Sequence, residues 1–359
     1  MARSVAYVAA AICVMVVPGA TVAADRAAPR RPPTLGQLTT DLYRASGATA
    51  VIAYRRTPRA AFLAARGFAD PATRARARPS AKIRIGSITK TFVAAVTLQL
   101  VSEGALSLDD PVAKWRPGLL PSNWNVTVRE LLSHRSGLFD YSRDADFLAR
   151  AVADRRATFT PDELVGYATR HPLDFPPGTS SSYSNTNFIV LGLVVEAVTG
   201  RAIADEIRKR VVDRLGLRDT FLLTSPEIPG FYAHVVSRET DTSVVDPSRS
   251  WAAAGMVSTV PDLARFFRAL YNGKLFPMPL VREMQKVTGR SGTWGLGLGM
   301  LVTRLHCGNA FGQDGFVDGY FTWAKFNRDG SRGAIVTIVS SVGDARARVA
   351  FLNAAFCRK

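Results

Sequence analysis

Segments rich in strand formers lie at both ends of this chain and helix-like segments fill the long middle. That distribution constrains the fold most. Near the start, Ala48–Tyr54 and Ala60–Phe68 read as strands around a basic turn at Arg55, Arg56 and Arg59. Past residue 290, Gly297–Arg304, Tyr320–Phe326 and Ala334–Ser340 are rich in β-formers, and Asn327-Arg328-Asp329-Gly330 supplies a hairpin turn. The middle, roughly 105–250, holds candidate helices at Thr127–Ser133, Pro161–Arg170, Asn187–Thr199 and Ala202–Arg214, broken by Pro and Gly. Further helices are predicted over Leu35–Ser46, over Ser87–Glu103 with Gly104 as its stop, and over Asp344–Phe356. Strands from both termini then complete one antiparallel sheet, with the helices as an insertion: an α+β layout.

The first residues are expected to lie outside that fold. Met1–Ala24 carries one charge, Arg3, then an apolar run from Val5 to Val17 and small residues at Gly19, Ala20, Ala23 and Ala24. This is the pattern of a secretory signal peptide, and Pro18-Gly19 makes the run too short for a membrane helix. Residues 25–34 (DRAAPRRPPT) read as a flexible Pro/Arg-rich arm, and the folded domain is expected over 35–357. Its sheet part falls at about 35–86 and 290–357 and its helical part at about 105–250. No later stretch is long and apolar enough to span a bilayer, so the mature protein is expected to be secreted or wall-associated.

With 359 residues, 47% of them apolar, the chain can bury a large core and needs no disulfide framework. Beyond the leader only Cys307 and Cys357 remain, and in an oxidising compartment a bridge between them is expected, worth about 3–4 kcal/mol by loop closure. The alternative is two unrelated buried thiols. Lys+Arg number 46 against 29 Asp+Glu. Such a surface attracts anionic wall polymers, or it reflects Arg-rich composition and solubility. Nucleic acid is not expected as a partner, since no basic motif is interleaved with aromatics. Four histidines, never closer than 37 positions, and the absence of CxxC, GxGxxG or P-loop strings leave no expectation of a metal or cofactor.

The chemistry concentrates at Gly86-Ser87-Ile88-Thr89-Lys90, a Ser-x-x-Lys string at a helix start. Residues three apart share a helix face, so the amine reaches the hydroxyl, and a neutral lysine can take its proton. A chain of this length holds on the order of one such string by chance, but Lys90 is the single lysine of eight with a serine three positions earlier. Tyr183-Ser184-Asn185 adds a hydroxyl able to relay protons and an amide able to hold a carbonyl. Alone, Tyr183 would more readily be a buried ring at a capped helix start.

Longer strings carry a resemblance: IRIGSITKTF (83–92), LLSHRSGL (131–138), FPPGTSSSYSNTNFIVLGLVVEAVTG (175–200) and WAAAGMVSTVPDLARFF (251–267). With these, the chain resembles the serine β-lactamase and D-alanyl-D-alanine carboxypeptidase superfamily on its class C side, over about residues 35–357. The resemblance implies an antiparallel five-stranded sheet flanked by helices, plus a mostly helical domain. It also implies Ser87 as acylated nucleophile, Lys90 as its proton partner, Tyr183 as general base or relay, and Asn185 as the substrate-amide ligand. The N–H groups of Ser87 and Phe316 would form an oxyanion hole, Trp251 resembles a pocket wall, and His134 is read as structural.

The third motif departs. On the innermost strand that the resemblance implies, the family has Lys or His, then Thr, Ser or Asp, then Gly; the matching string here is Phe311-Gly312-Gln313-Asp314-Gly315-Phe316. Gln313 cannot steer a substrate carboxylate by charge. Nor does an arginine follow Gly295-Leu296-Gly297-Leu298, where Gly299 stands and Arg304 comes five positions later. Three readings remain, in order. The first is a D-alanyl-D-alanine carboxypeptidase-type enzyme acting on peptidoglycan peptides, with β-lactams as acylating ligands. Next comes an esterase, amidase or β-lactamase of the same fold. The last is a non-catalytic penicillin- or wall-binding protein.

Overall fold

The computed structural model describes residues 32–237, 240–340 and 347–357. The predicted leader, residues 25–31 of the arm and the expected start of the closing helix at Asp344 lie outside the described residues. From Pro33 onward the chain packs as one unit.

Helix α1 (Leu35–Ser46) starts where Thr34 and Gln37 cap each other reciprocally and stops at Gly47, whose φ of 60° is left-handed. It leads into β1 (Ala50–Arg56), β2 (Ala61–Asp70) and the short β3 (Ala75–Arg76). Near the other terminus come β4 (Gly289–Ser291), β5 (Trp294–Leu296), β6 (Leu301–Leu305), β7 (Gly308–Val317), β8 (Tyr320–Phe326) and β9 (Gly333–Val339). Together they form a nine-stranded sheet in the order β3-β2-β1-β9-β8-β7-β6-β5-β4, not the five strands expected. Five long strands, β2-β1-β9-β8-β7, do form its middle. The additional ones are five residues or fewer at either edge; β6 overlaps the predicted Gly297–Arg304 segment, and β3, β4 and β5 are too short to register as periodic segments. All pairings in this sheet are antiparallel, and β1 against β9 (Ala50 opposite Val339 through Arg56 opposite Gly333) joins the two ends of the chain.

Strand β9, GAIVTIV, is buried at every position because helices cover both faces of the sheet. On one face Val51, Ala53, Trp323, Val336 and Ile338 pack under α1 and the C-terminal helix Ala347–Phe356. On the other, Ile52, Tyr320, Phe326, Ile335 and Val339 meet the helical part. Central to that part is α2 (Thr89–Ser102), buried at every residue from Thr89 to Leu100 rather than along one stripe. Against it lie α3 (Thr186–Thr199) and α4 (Trp251–Ala254), and α5 (Val260–Tyr271) faces β1 and β9. The helix predicted over Ala202–Arg214 is observed as Ile203–Leu215, with a π-helical turn at Arg208–Val212 in its middle. Cys307 and Cys357 are bonded, tying the β6–β7 turn to the chain's last described residue. Among the described residues no single helix is long and apolar enough to cross a membrane.

Candidate active site

Ser87 sits in a single 3-10 turn, Gly86–Ile88, that feeds directly into α2. The turn abuts β7. A Cβ on Gly86 would lie 2.8 Å from the Phe316 nitrogen, and one on Gly315 would lie 2.0 Å from the Ile85 oxygen. Only glycine allows this approach. Strand β6 pairs with β7 no further than Leu301 opposite Gly312, so beyond Gly312 that edge of β7 has no strand partner. The backbone N–H groups of Ser87 and Phe316 thus flank one gap.

Lys90 lies one turn into α2 and is fully buried. Its Nζ is 3.0 Å from Ser87 Oγ, 2.7 Å from Asn185 Oδ1 and 2.9 Å from the Ala253 carbonyl oxygen. A neutral amine has two N–H donors and one lone pair. The amide and carbonyl oxygens can only accept, whereas the hydroxyl can donate, so these neighbours fit the neutral form. Burial pulls the Lys90 pKa down to about 7, against the opposing attraction of Asp140.

Asp140 organises the other side. Its carboxylate accepts from Asn185 Nδ2 at 3.1 Å and from Ser142 Oγ at 2.8 Å, which turns the amide oxygen of Asn185 toward Lys90. Sequence reasoning did not single out Asp140, although it stands two residues past the LLSHRSGL string. Tyr183 is half-buried, and its phenol faces Ser87. Desolvation raises the phenol well above the usual range; the Ser87 hydroxyl opposes this, and Asp140 and Asp314 add to it. The His134 ring stacks on Tyr183 with centroids 4.3 Å apart, and its Nδ1 accepts from Ser184 N at 3.2 Å. Burial drops its pKa to about 3, so it stays neutral as a packing and orienting group.

Gln313, 1% exposed, shares a face of β7 with Gly315, the face turned toward the nucleophile turn. Its Oε1 accepts from the next backbone N–H, Asp314 N, at 3.0 Å, and its Nε2 has no partner among the described residues. Asp314 points to the opposite face and pairs with Lys325 at 2.5 Å, both nearly solvent-free. Removing one member of such a pair strands the other charge. Lys325→Met should therefore lower stability by about 3–5 kcal/mol, read as a shift of the urea midpoint. An unchanged midpoint would mean that Asp314 is not carried as a buried charge.

Phe316 is 39% exposed and lies edge-on to Trp323, with ring centroids 5.3 Å apart. Trp251 opens α4, and the far edge of its indole lies where a Cβ on Gly192 of α3 would be. The contact sits two turns beyond Asn185 and holds α4, with its Ala253 carbonyl, against α3. Arg304 lines a separate surface cleft with Arg290 and Asn309, and none of the residues around Ser87 takes part in it.

The family model described as Beta-lactamase matches residues 34–356. Esterase EstB of Burkholderia gladioli is 35% identical over 195 residues, covering 50% of this chain but only 48%, about half, of the esterase's own length. Penicillin-binding protein 4 of Amycolatopsis lactamdurans is 30% identical over 274 residues, 67% of each chain. A crystal structure of a D-stereospecific amidohydrolase from Streptomyces sp. superposes with a TM-score of 0.82 at 34% identity, covering 90% of this chain and 99% of that one.

Proposed function

Because the chain belongs to the beta-lactamase family of serine hydrolases, we propose that it forms an acyl-enzyme on Ser87. Its substrates are amides and esters of small D-amino acids with a free amine and no terminal carboxylate. Gln313 carries this reading: a neutral, buried amide with an unpartnered Nε2 stands where a carboxylate-steering cation would be needed. The charge beside Tyr183 supports it further, since Asp140 is a carboxylate with no ion-pair partner among the described residues. Such a field favours a substrate ammonium and disfavours a substrate carboxylate. The preference for D-configuration rests on the similarity to the Streptomyces amidohydrolase.

In this mechanism neutral Lys90 takes the proton of Ser87 as the hydroxyl attacks the carbonyl carbon. The N–H groups of Ser87 and Phe316 receive the oxyanion. Tyr183, kept protonated by its surroundings, passes a proton to the leaving nitrogen or oxygen, and water then cleaves the ester on Ser87 by the reverse relay. Asn185 acts chiefly by holding Lys90, because its own N–H groups face Asp140 and Ser142. Export through the Met1–Ala24 leader is part of the same proposal, and the Cys307–Cys357 bond supports an oxidising compartment.

The test compares kcat/KM for D-phenylalanine amide, its N-acetyl derivative, the L-enantiomer and an N-acyl-D-Ala-D-Ala peptide. The free D-amide should be turned over fastest, and acetylation should reduce the rate about tenfold or more through loss of one charge contact. Faster release of D-alanine from the acylated peptide would overturn the assignment in favour of a carboxypeptidase. Gln313→His should raise turnover of the peptide more than that of a neutral ester; equal effects would place residue 313 in proton transfer instead. Intact-mass analysis after exposure to a penicillin should find any adduct on Ser87 and none in Ser87→Ala.

A further inference from the structure

Away from Ser87, two adjoining clefts lie where the C-terminal ends of α2 and α5 come together. One, of about 280 Å³, is lined by Gln99 and Ser102 of α2 and by Lys274, Phe276 and Pro277. The other, of about 430 Å³, is lined by Arg265, Arg268, Asn272 and Lys274. Arg214 and Lys274 line both, so the clefts form one continuous trough.

The trough is short of acceptors. Arg265 is held by Asp262 at 3.3 Å, and Glu103, the single acid along it, is taken by Arg210 at 2.6 Å. Among the described residues Arg214 reaches only the Leu275 carbonyl, at 3.4 Å. Arg268 and Lys274 have no acidic partner among the described residues. Three cations are thus left without a counter-charge. The ends of α2 and α5 offset them by only about half a charge each. At the floor Gln99 is 5% exposed, and its Nε2 is a buried donor without a partner among the described residues. A buried amide N–H left unmade is costly, and in a merely solvated basic face it would have no reason to persist.

We infer that this trough binds a polyol-phosphate chain. One phosphate lies against Arg214 and Arg268 and the next against Lys274 and the Gln99 amide. The two clefts call for more than one anionic group, and the apolar wall of Phe276 and Pro277 suits the carbon links between them. The site is built from residues remote in sequence from Ser87 and does not depend on which substrate Ser87 accepts. Occupancy would hold the enzyme on an anionic polymer while the hydrolytic site remains open.

Calorimetric titration of the whole protein tests this with a glycerol-phosphate oligomer, tripolyphosphate and inorganic phosphate, at low and at physiological salt. The oligomer should bind most tightly, weakening as salt screens the contacts. Arg268→Gln/Lys274→Gln should weaken it about tenfold or more. Gln99→Leu should weaken it about threefold or more with an unchanged melting temperature. Arg59→Gln/Arg74→Gln, which removes the same charge from the β1–β2 and β2–β3 turns, should leave affinity within twofold. Ester hydrolysis measured in the same samples should be unaltered in every variant, so failure here is distinguishable from failure of the hydrolase assignment. Equal losses in both double variants would overturn the site in favour of diffuse attraction. Binding of tripolyphosphate without the oligomer would overturn the polymer assignment, and no binding at all would overturn both.

Discussion

Lys90→Met should lower kcat/KM by about 10³-fold, within the range that positioned proton acceptors contribute. Methionine roughly keeps the volume, so α2 can stay packed, but it offers Ser87 no lone pair of useful basicity. It also leaves Asn185 Oδ1 and the Ala253 carbonyl without the donor they now share. Part of the loss will therefore come from a loosened amide, and far-UV and near-UV circular dichroism should accompany the kinetics. The wild-type pH profile separates the two contributions. Lys90 must be neutral to act, and its pKa lies near 7. With a neutral ester as substrate, which carries no titrating amine, log(kcat/KM) should accordingly rise with unit slope below about pH 7 and level off above it. That limb should vanish in Lys90→Met while Tyr183, shifted upward by burial, contributes no descending limb below pH 9. A rising limb that survived unchanged in the variant would assign the base to another group.

Gly315→Ala should lower kcat by about 10²–10³-fold with a much smaller change in KM. The added Cβ would meet the Ile85 carbonyl oxygen at 2.0 Å, a backbone atom that cannot swing aside. β7 must move away from the nucleophile turn, which separates the N–H groups of Ser87 and Phe316. An oxyanion develops only on the way to the tetrahedral state, so loss of a donor falls on the chemical step. Gly86→Ala approaches the same gap from the other side, its Cβ meeting Phe316 N at 2.8 Å and its backbone at a φ of +51°. It should produce the same pattern. If both variants fold with native urea midpoints and retain kcat, the hole does not lie between these two N–H groups.

How much of this was legible beforehand follows from the range over which each feature is decided. Thr34, Gln37 and Gly47 bound α1 by local capping, and the predicted Leu35–Ser46 is the helix observed. The β8–β9 hairpin was equally local, with its turn at Asn327–Gly330. β7, the strand at the heart of the site, carries Gly308, Asn309, Gly312, Asp314 and Gly315, and strand propensity alone reads it as loop. Only the family resemblance placed a strand there. Its glycines answer to neighbours far along the chain: a Cβ on Gly312 would lie 1.9 Å from the Ala324 oxygen. The site divides in the same way. Ser87 and Lys90 are three residues apart, so any helix start brings them together, and the sequence by itself determined that pair, the Tyr183–Asn185 pair and the missing cation at Gln313. Tertiary structure alone decided that Asp140 turns Asn185 toward Lys90, that the Ala253 carbonyl, 163 positions away, accepts a hydrogen bond from the Lys90 amine, and that the amine is wholly buried. An amine's basicity depends on the solvent it has lost and the acceptors around it, and both are set by segments that meet only when the chain has folded.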